Sequence, residues 1–396
     1  MPKILFVNSV CGIGSTGRIC TDLYDLAEKN NYECCIAYGR NKAPKKYNTL
    51  KIGNIFNVYA HVLLSRIFDM HGFGSKIATK SFLKKVDKYQ PDIIHLHNIH
   101  GYYINVKCLF DYLKKHPQIK VVWTLHDCWA FTGHCAYFTY ANCNNWIKDD
   151  CRKCKYKYSY PKCSLKSNSY KNYIHKYNNF VGVQNLTIVT PSKWLKNLVN
   201  QSFLQNYEVN VINNGIDLNS FYKEKLNVET KINILTIANV WEKRKGLDEI
   251  IKLSQIIDYD KFNLIIVGIS SSQSELFPRN VITIERTKDI HELRKIYNNA
   301  DLLFNPTKED NYPTVNLEAQ ACGTPVITYD IGGTKETLFS KESKIVKDFE
   351  EFIHMIENFD LKKNKKDINV DLAFIDKNVK MKEYIDLYDK ILDKGK

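Results

Sequence analysis

No stretch of this 396-residue chain approaches the roughly 18 to 20 consecutive apolar residues of a membrane span, which sets aside an integral membrane protein. The opening run PKILFVNSV is too short for a signal peptide and Gly12 and Gly14 interrupt it at once. The expectation is a cytoplasmic protein whose contact with a membrane, if any, is peripheral, on the inner face. No acid closes the second strand, where Cys34 to Tyr38 runs into Gly39-Arg40. Dinucleotide fingerprints need that acid for the ribose, so a dehydrogenase is set aside. No carboxylate or cysteine stands at ligand spacing from His95, His97 and His100, and neighbouring strand residues point to opposite faces, so these histidines do not read as a metal site. Nor does a recognised nucleic-acid motif accompany the net charge of +14, which is largely lysine.

The length and a 44% hydrophobic content suit two domains, each with its own core. The densest information lies between Asp301 and Leu338. There Leu302-Leu303-Phe304 reads as a buried strand, Glu309 and Asp310 sit in the loop after it, and Val315 to Ala321 has the apolar spacing of a short helix carrying Glu318. Pro325 to Tyr329 is a second buried strand, followed by Gly332-Gly333-Thr334 and a further helix start. Strand, acidic loop, helix, strand and glycine loop is the alternation of an open parallel sheet that binds its ligand beyond the carboxyl ends of its strands. Carboxylates at Asp310 and Glu318 can accept hydrogen bonds from sugar or ribose hydroxyls, and a helix N-terminus beside the glycines offers N–H groups to a phosphate.

This stretch resembles the carboxylate signature of retaining GT-B glycosyltransferases of family four, polysaccharide-assembling subgroup. That pattern has Glu, seven residues, Glu, then Ala, Gly-x-Pro-Val and a Gly-Gly turn. Here it reads Asp310, NYPTVNL, Glu318, AQACGTPVITYDIGG, with Glu309 directly before the first acid, so that Asp310 and Glu309 both stand as candidates to meet the donor sugar. The resemblance implies an α/β GT-B fold: two facing Rossmann-like doubly wound domains with an interdomain cleft. The expected boundaries are an acceptor-binding domain over 1–216 with a cysteine-rich insertion at 128–163, a nucleotide-sugar-binding domain over 217–377 with a polar linker up to Lys231, and a C-terminal helix over 378–396 returning to the first domain.

The remaining candidates follow the chain. Gly12, Gly14 and Arg18 form a glycine turn between strand and helix that lets backbone approach a sugar or phosphate closely. His97, Asn98 and His100 end the next strand, where they could hydrogen-bond an acceptor sugar. Residues 55–85 hold an apolar helical run, a glycine joint and a lysine-studded helix, a combination that could touch an anionic bilayer. His126 leaves the strand Lys120 to Leu125 beside Asp127, which could orient it or cap the next turn; the resemblance implies that His126 contacts the donor sugar. Cys135, Cys143, Cys151 and Cys154 have the spacing of a structural zinc site, with Cys163 as alternative ligand, and free thiols as the other reading. Arg244 and Lys245, before a helix start, suit a diphosphate, and Asn311 and Thr314 belong with Glu318 to the expected donor site.

The expected function is therefore transfer of a hexosyl group from a UDP- or GDP-sugar to a glycan or lipid-linked glycan, with retention, in capsule or exopolysaccharide biosynthesis. No catalytic metal and no nucleic-acid partner are expected. A sugar-nucleotide epimerase of the same architecture and a basic nucleic-acid-binding protein are the alternatives.

Overall fold

A computed structural model of the chain describes residues 1–152, 154, 156–158, 160–224, 230–358 and 371–393. It divides into two compact units, Met1–Ile212 with Met381–Lys396, and Asn213–Lys380. The polar run expected as a linker lies partly outside the described residues, at 225–229.

The first unit carries a seven-stranded sheet of β1 (Lys3–Asn8), β2 (Glu33–Tyr38), β3 (Thr49–Lys51), β4 (Ile93–Leu96), β5 (Lys120–Thr124), β6 (Leu186–Thr190) and β7 (Glu208–Val211), in the order β3-β2-β1-β4-β5-β6-β7. Every pairing is parallel. The strands are continuous apolar runs because helices cover both faces, giving two separate cores. One core forms where the helix Gly14–Lys29 and the C-terminal helix Lys377–Asp393 meet the sheet, with Leu23, Tyr384 and Tyr388 packed on Ile4 and Phe6. The other core holds Phe110, Trp123, Trp129 and Phe180.

In the second unit β8 (Ile232–Ile237), β9 (Phe262–Val267), β10 (Ile282–Ile284), β11 (Leu302–Asn305), β12 (Val326–Tyr329) and β13 (Lys344–Val346) form a parallel sheet ordered β10-β9-β8-β11-β12-β13. Phe304 and Phe352 stack across its core at 3.6 Å. The short edge strands β3 and β13 were not visible in the sequence, and the expected helix after Gly333 is only a 3-10 turn, Thr334–Thr337.

Candidate functional site

In each sheet the strand order reverses at one point. Between β8 and β11 the chain leaves toward β9 on one side and β12 on the other, so the loops after β8 and β11 diverge and leave a crevice at the strand ends. The loop after β8 turns through Lys243–Lys245 and reaches Gly246 at φ +84°. A side chain there would run into the carbonyl of Pro306, which follows β11, so the glycine is what lets the two loops close on each other. The consequence is an ion pair across the crevice, Lys245 Nζ to Asp310 Oδ2 at 2.5 Å, with both side chains partly exposed. Arg244 Nη1 donates to the Glu309 carbonyl at 3.2 Å and its guanidinium also pairs with Glu242 at 2.6 Å.

The two neighbouring acids are placed differently. The Glu309 side chain is 4% exposed and lies 4.0 Å from Arg244 Nε, whereas the Asp310 carboxylate stays at the surface of the crevice. Asp310 Oδ1 accepts the Asn311 N–H at 2.8 Å, and Asn311 itself is buried. The carbonyl of Asp310 accepts the Gly333 N–H, and a Cβ on Gly332 would meet that carbonyl, so the glycine turn lies against the acidic loop.

Glu318 sits in the helix Thr314–Ala321, with Thr314 in its first turn, both half-buried. Its Oε2 accepts the Tyr297 hydroxyl at 2.8 Å, and burial together with this carboxylate pushes the Tyr297 pKa well up. A chain of buried amides fixes the helix: Asn305 donates to Asn316, Asn316 to Thr337, and Gln320 holds the Asn316 and Thr337 carbonyls. With every partner satisfied, such a network sets one helix position relative to β11.

The first unit reverses between β1 and β4. Gly12 and Gly14 both lie at positive φ, and no atom stands within 4 Å of where a Cβ on Gly14 would be. Asn98 Nδ2 donates to Thr16 Oγ1 at 3.3 Å and ties the loop after β4 to this turn, while Arg18 projects outward. His97 and His100 are 2% and 7% exposed and, with Asn98, His126 and Asp127, line a small pocket beyond the ends of β4 and β5. His97 Nδ1 meets His126 Nε2 at 3.2 Å, the rings stacked. His95, behind them, bonds Tyr388 and Thr124 through its two nitrogens. Burial holds His126 down, to about 4, and His95 to about 3, so this group of rings is neutral near pH 7. Asp127 pairs with His100 Nε2 at 3.0 Å and accepts the Trp129 N–H, which caps the turn after β5.

Among the described residues no three or more His, Cys, Asp or Glu side chains are gathered so as to hold a metal ion. Cys135, Cys143, Cys151 and Cys154 are thiols here: Cys135 and Cys154 share a hydrogen bond that pulls the Cys154 pKa down, to about 6, and Cys151 Sγ accepts the Gly133 N–H. Cys163, the alternative ligand, turns to the Lys166 carbonyl. What anchors the start of the cysteine-rich segment is a residue the sequence reading missed. Lys176, fully buried, donates to the Trp129 and Thr132 carbonyls at 2.6 and 2.9 Å and lies 3.6 Å over the Trp129 ring. Its position in a helix of otherwise mixed polarity gave no signal.

Residues 16–220 match the sequence profile of Glycosyltransferase Family 4, and residues 219–367 that of Glycosyl transferases group 1. The chain belongs to glycosyltransferase family 4. It is accordingly a transferase of glycosyl groups. This glycosyltransferase is 24% identical over 375 residues, 90% of its length and 89% of the relative's, to a protein of Escherichia coli K12 named as a putative colanic acid biosynthesis glycosyl transferase, WcaC. It is 26% identical to the capsular polysaccharide biosynthesis glycosyltransferase CapM of Staphylococcus aureus over 34% of its own length and 39% of CapM. Its backbone resembles a sucrose-phosphate synthase from Thermosynechococcus elongatus with TM-score 0.70 and 14% identity, covering 99% and 100% of the two chains. A second likeness, at TM-score 0.62 and 13% identity over 98% and 100%, is to Anabaena HepE in complex with UDP. Together with the two parallel sheets, these likenesses show the two-domain GT-B fold.

Proposed function

We propose that this glycosyltransferase moves a hexosyl group from a nucleoside diphosphate sugar to a growing glycan, free or lipid-linked, in assembly of a capsule or exopolysaccharide, with retention of configuration. The observation that carries the donor half is the Lys245–Asp310 pair across the strand reversal of the second sheet, with Arg244 beside it and Glu318 on the neighbouring helix. Cations and a hydroxyl-accepting carboxylate side by side are what a diphosphate joined to a sugar requires.

In this reading Lys245 and Arg244 stabilise the charge that develops on the diphosphate as the bond to the anomeric carbon breaks. Asp310 takes the sugar hydroxyls, because its carboxylate reaches the crevice while that of Glu309 lies under Arg244. Glu318, oriented by Tyr297, holds the ribose. The neutral His126, backed by His97, serves as a hydrogen-bond partner for the donor sugar and not as a charged acid. The capsule assignment follows from what WcaC and CapM are named for, and a UDP donor is favoured by the likeness to HepE with UDP.

Calorimetric titration of UDP and GDP into wild type and Glu318→Ala tests the donor site. Micromolar binding of one diphosphate, weakened at least tenfold by the substitution, is the expected result (about 1.4 kcal/mol per factor of ten). If neither diphosphate binds wild type, the donor assignment fails. An anomeric product doublet by proton NMR, read before mutarotation, decides retention.

A further inference from the structure

The helix Ile55–Phe68 is built inside out. Its buried residues are His61 and Ser65, while Phe56 is 78% exposed, Tyr59 67% and Leu63 59%. These three recur at i, i+3 and i+7 and so share one face of the helix, whose single charged residue is Arg66. An ordinary surface helix turns such residues inward, because each exposed large side chain forgoes roughly 1.5 to 3 kcal/mol of burial.

The helix cannot simply roll over, because its polar side is fastened. Asn54 and Asn57 form a reciprocal capping box at its start. His61 Nε2 accepts the N–H groups of Gly72 and Gly74 at 3.2 and 3.1 Å, and its Nδ1 meets Ser75 Oγ at 3.0 Å. Gly74 has no room for a side chain, since a Cβ would strike the His61 ring. At the far end the Arg66 and Ile67 carbonyls accept the Ser164 and Lys166 N–H groups, which brings Leu165, 66% exposed, beside the helix end.

The same His61 contacts set where the next helix begins. Lys76–Tyr89 starts one residue after Ser75 with Ile77 at 84% exposure, and Lys76, Lys80, Lys84 and Lys88 follow at four-residue spacing, all exposed. Among the described residues none of the four pairs with a carboxylate. From residue 41 to 88 the chain has ten lysines and arginines and two acids, Asp69, which is buried against His134, and Asp87, which is exposed. An exposed apolar row on one helix and a lysine row on the next, with Asp87 the one exposed acid over that span, match a bilayer with anionic headgroups and fit an acidic protein less well, since the apolar row would remain without a partner.

We propose that the face made by Phe56, Tyr59 and Leu63 with the Lys76–Lys88 row docks the first unit onto an anionic membrane surface, where a lipid-linked acceptor would be presented. This deepens the acceptor half of the proposed function and is independent of the donor half. The test is sedimentation of the full chain with vesicles of phosphatidylcholine alone and of phosphatidylcholine mixed with phosphatidylglycerol. Binding to the anionic vesicles only is expected, weakening as salt is raised. Lys80→Gln with Lys84→Gln should reduce it about tenfold or more, and Phe56→Ser with Leu63→Ser should abolish it. Both pairs are solvent-exposed, so the folded state and diphosphate binding should be unchanged, and diphosphate binding measured on the same samples separates this inference from the donor reading. Failure of wild type to bind anionic vesicles would overturn the proposal. So would equal binding by the Phe56→Ser, Leu63→Ser variant, or a wild-type dimer that this variant converts to monomer without any change in vesicle binding, which would make a second copy the occupant.

Discussion

The two units share one sheet plan and differ in what they bury. Nine of the eleven histidines, at 61, 71, 95, 97, 100, 116, 126, 134 and 175, and eleven of the twelve cysteines, all but Cys322, fall within Met1–Ile212. The second unit buries neutral amides and hydroxyls, Asn305, Asn316, Gln320 and Thr337, in a satisfied network around the helix of Glu318. The charged residues of the second unit's strand-end loops, Lys245, Arg244 and Asp310, stay partly exposed. A unit with imidazoles in its interior keeps them neutral only by excluding protons, and its stability is tied to pH. The same sheet plan thus carries a partly exposed cluster of charges in one unit and a group of buried imidazoles in the other.

The sharpest way to break this comparison is to remove the charge from the second unit. Lys245→Ala takes away the cation that faces Asp310 across the strand reversal and leaves that carboxylate without its 2.5 Å partner. If the pair is the diphosphate site, the rate of sugar transfer should fall by about 100- to 1000-fold, the range seen when a fixed electrostatic contact to a developing charge is lost. Lys245→Arg, which retains charge but not the compact ammonium, should recover part of it. Unchanged turnover in Lys245→Ala would move the diphosphate elsewhere and leave the pair a structural tie.

Acid should strike the first unit selectively. An imidazole free in the unfolded chain takes up its proton near pH 6.5, whereas burial lowers His61 to about 4 and His95 to about 3, and lowers His71 and His97 as well. Between these values the unfolded state binds more protons than the folded one, so stability falls as pH falls from about 6.5 toward 4. By pH 5 the loss is about 2 kcal/mol for His61 and for His95 alike, and His71 and His97 act in the same direction. Four of the five tryptophans, Trp123, Trp129, Trp146 and Trp194, report on the first unit, so Trp241→Phe gives a fluorescence signal for it alone. Urea unfolding followed this way should shift to lower denaturant between pH 7.5 and pH 5, more than the second unit does when followed by hydrogen exchange. Equal shifts in both would mean that the buried imidazoles are not what acid attacks.

The comparison also explains what could be read from the sequence. The groups proposed for the donor lie within two short stretches, Lys243 to Gly246 and Asp310 to Gly333, each a strand end followed by a turn, and periodicity with glycine placement makes those turns legible in the sequence. Which of Glu309 and Asp310 meets the crevice was not legible, because it depends on Arg244, 65 positions away, covering one of them. In the first unit the partners are remote: His97 and His126 are 29 positions apart, and His95 and Tyr388 are 293. A histidine at a strand end looks the same in sequence whether it faces a substrate or another histidine, so the contact between His97 and His126 was not legible.

The mildest probe is Tyr297→Phe. It deletes one hydroxyl that Glu318 accepts at 2.8 Å and leaves the ring, buried against Phe221, in place. A neutral donor to a charged acceptor contributes about 1.5 to 3 kcal/mol when the acceptor is left without a substitute, and less where water can replace it. Glu318 is half-buried, so replacement by water is available and about 1 kcal/mol is expected, roughly a fivefold rise in the diphosphate Kd with little change in the catalytic rate constant. The asymmetry between the two parameters is the informative part. If Glu318 holds the ribose, its misorientation weakens ground-state and transition-state binding alike, and KM moves while kcat does not. If instead kcat falls and KM stays, Glu318 acts on the reacting centre and the roles given to it and to Asp310 must be exchanged.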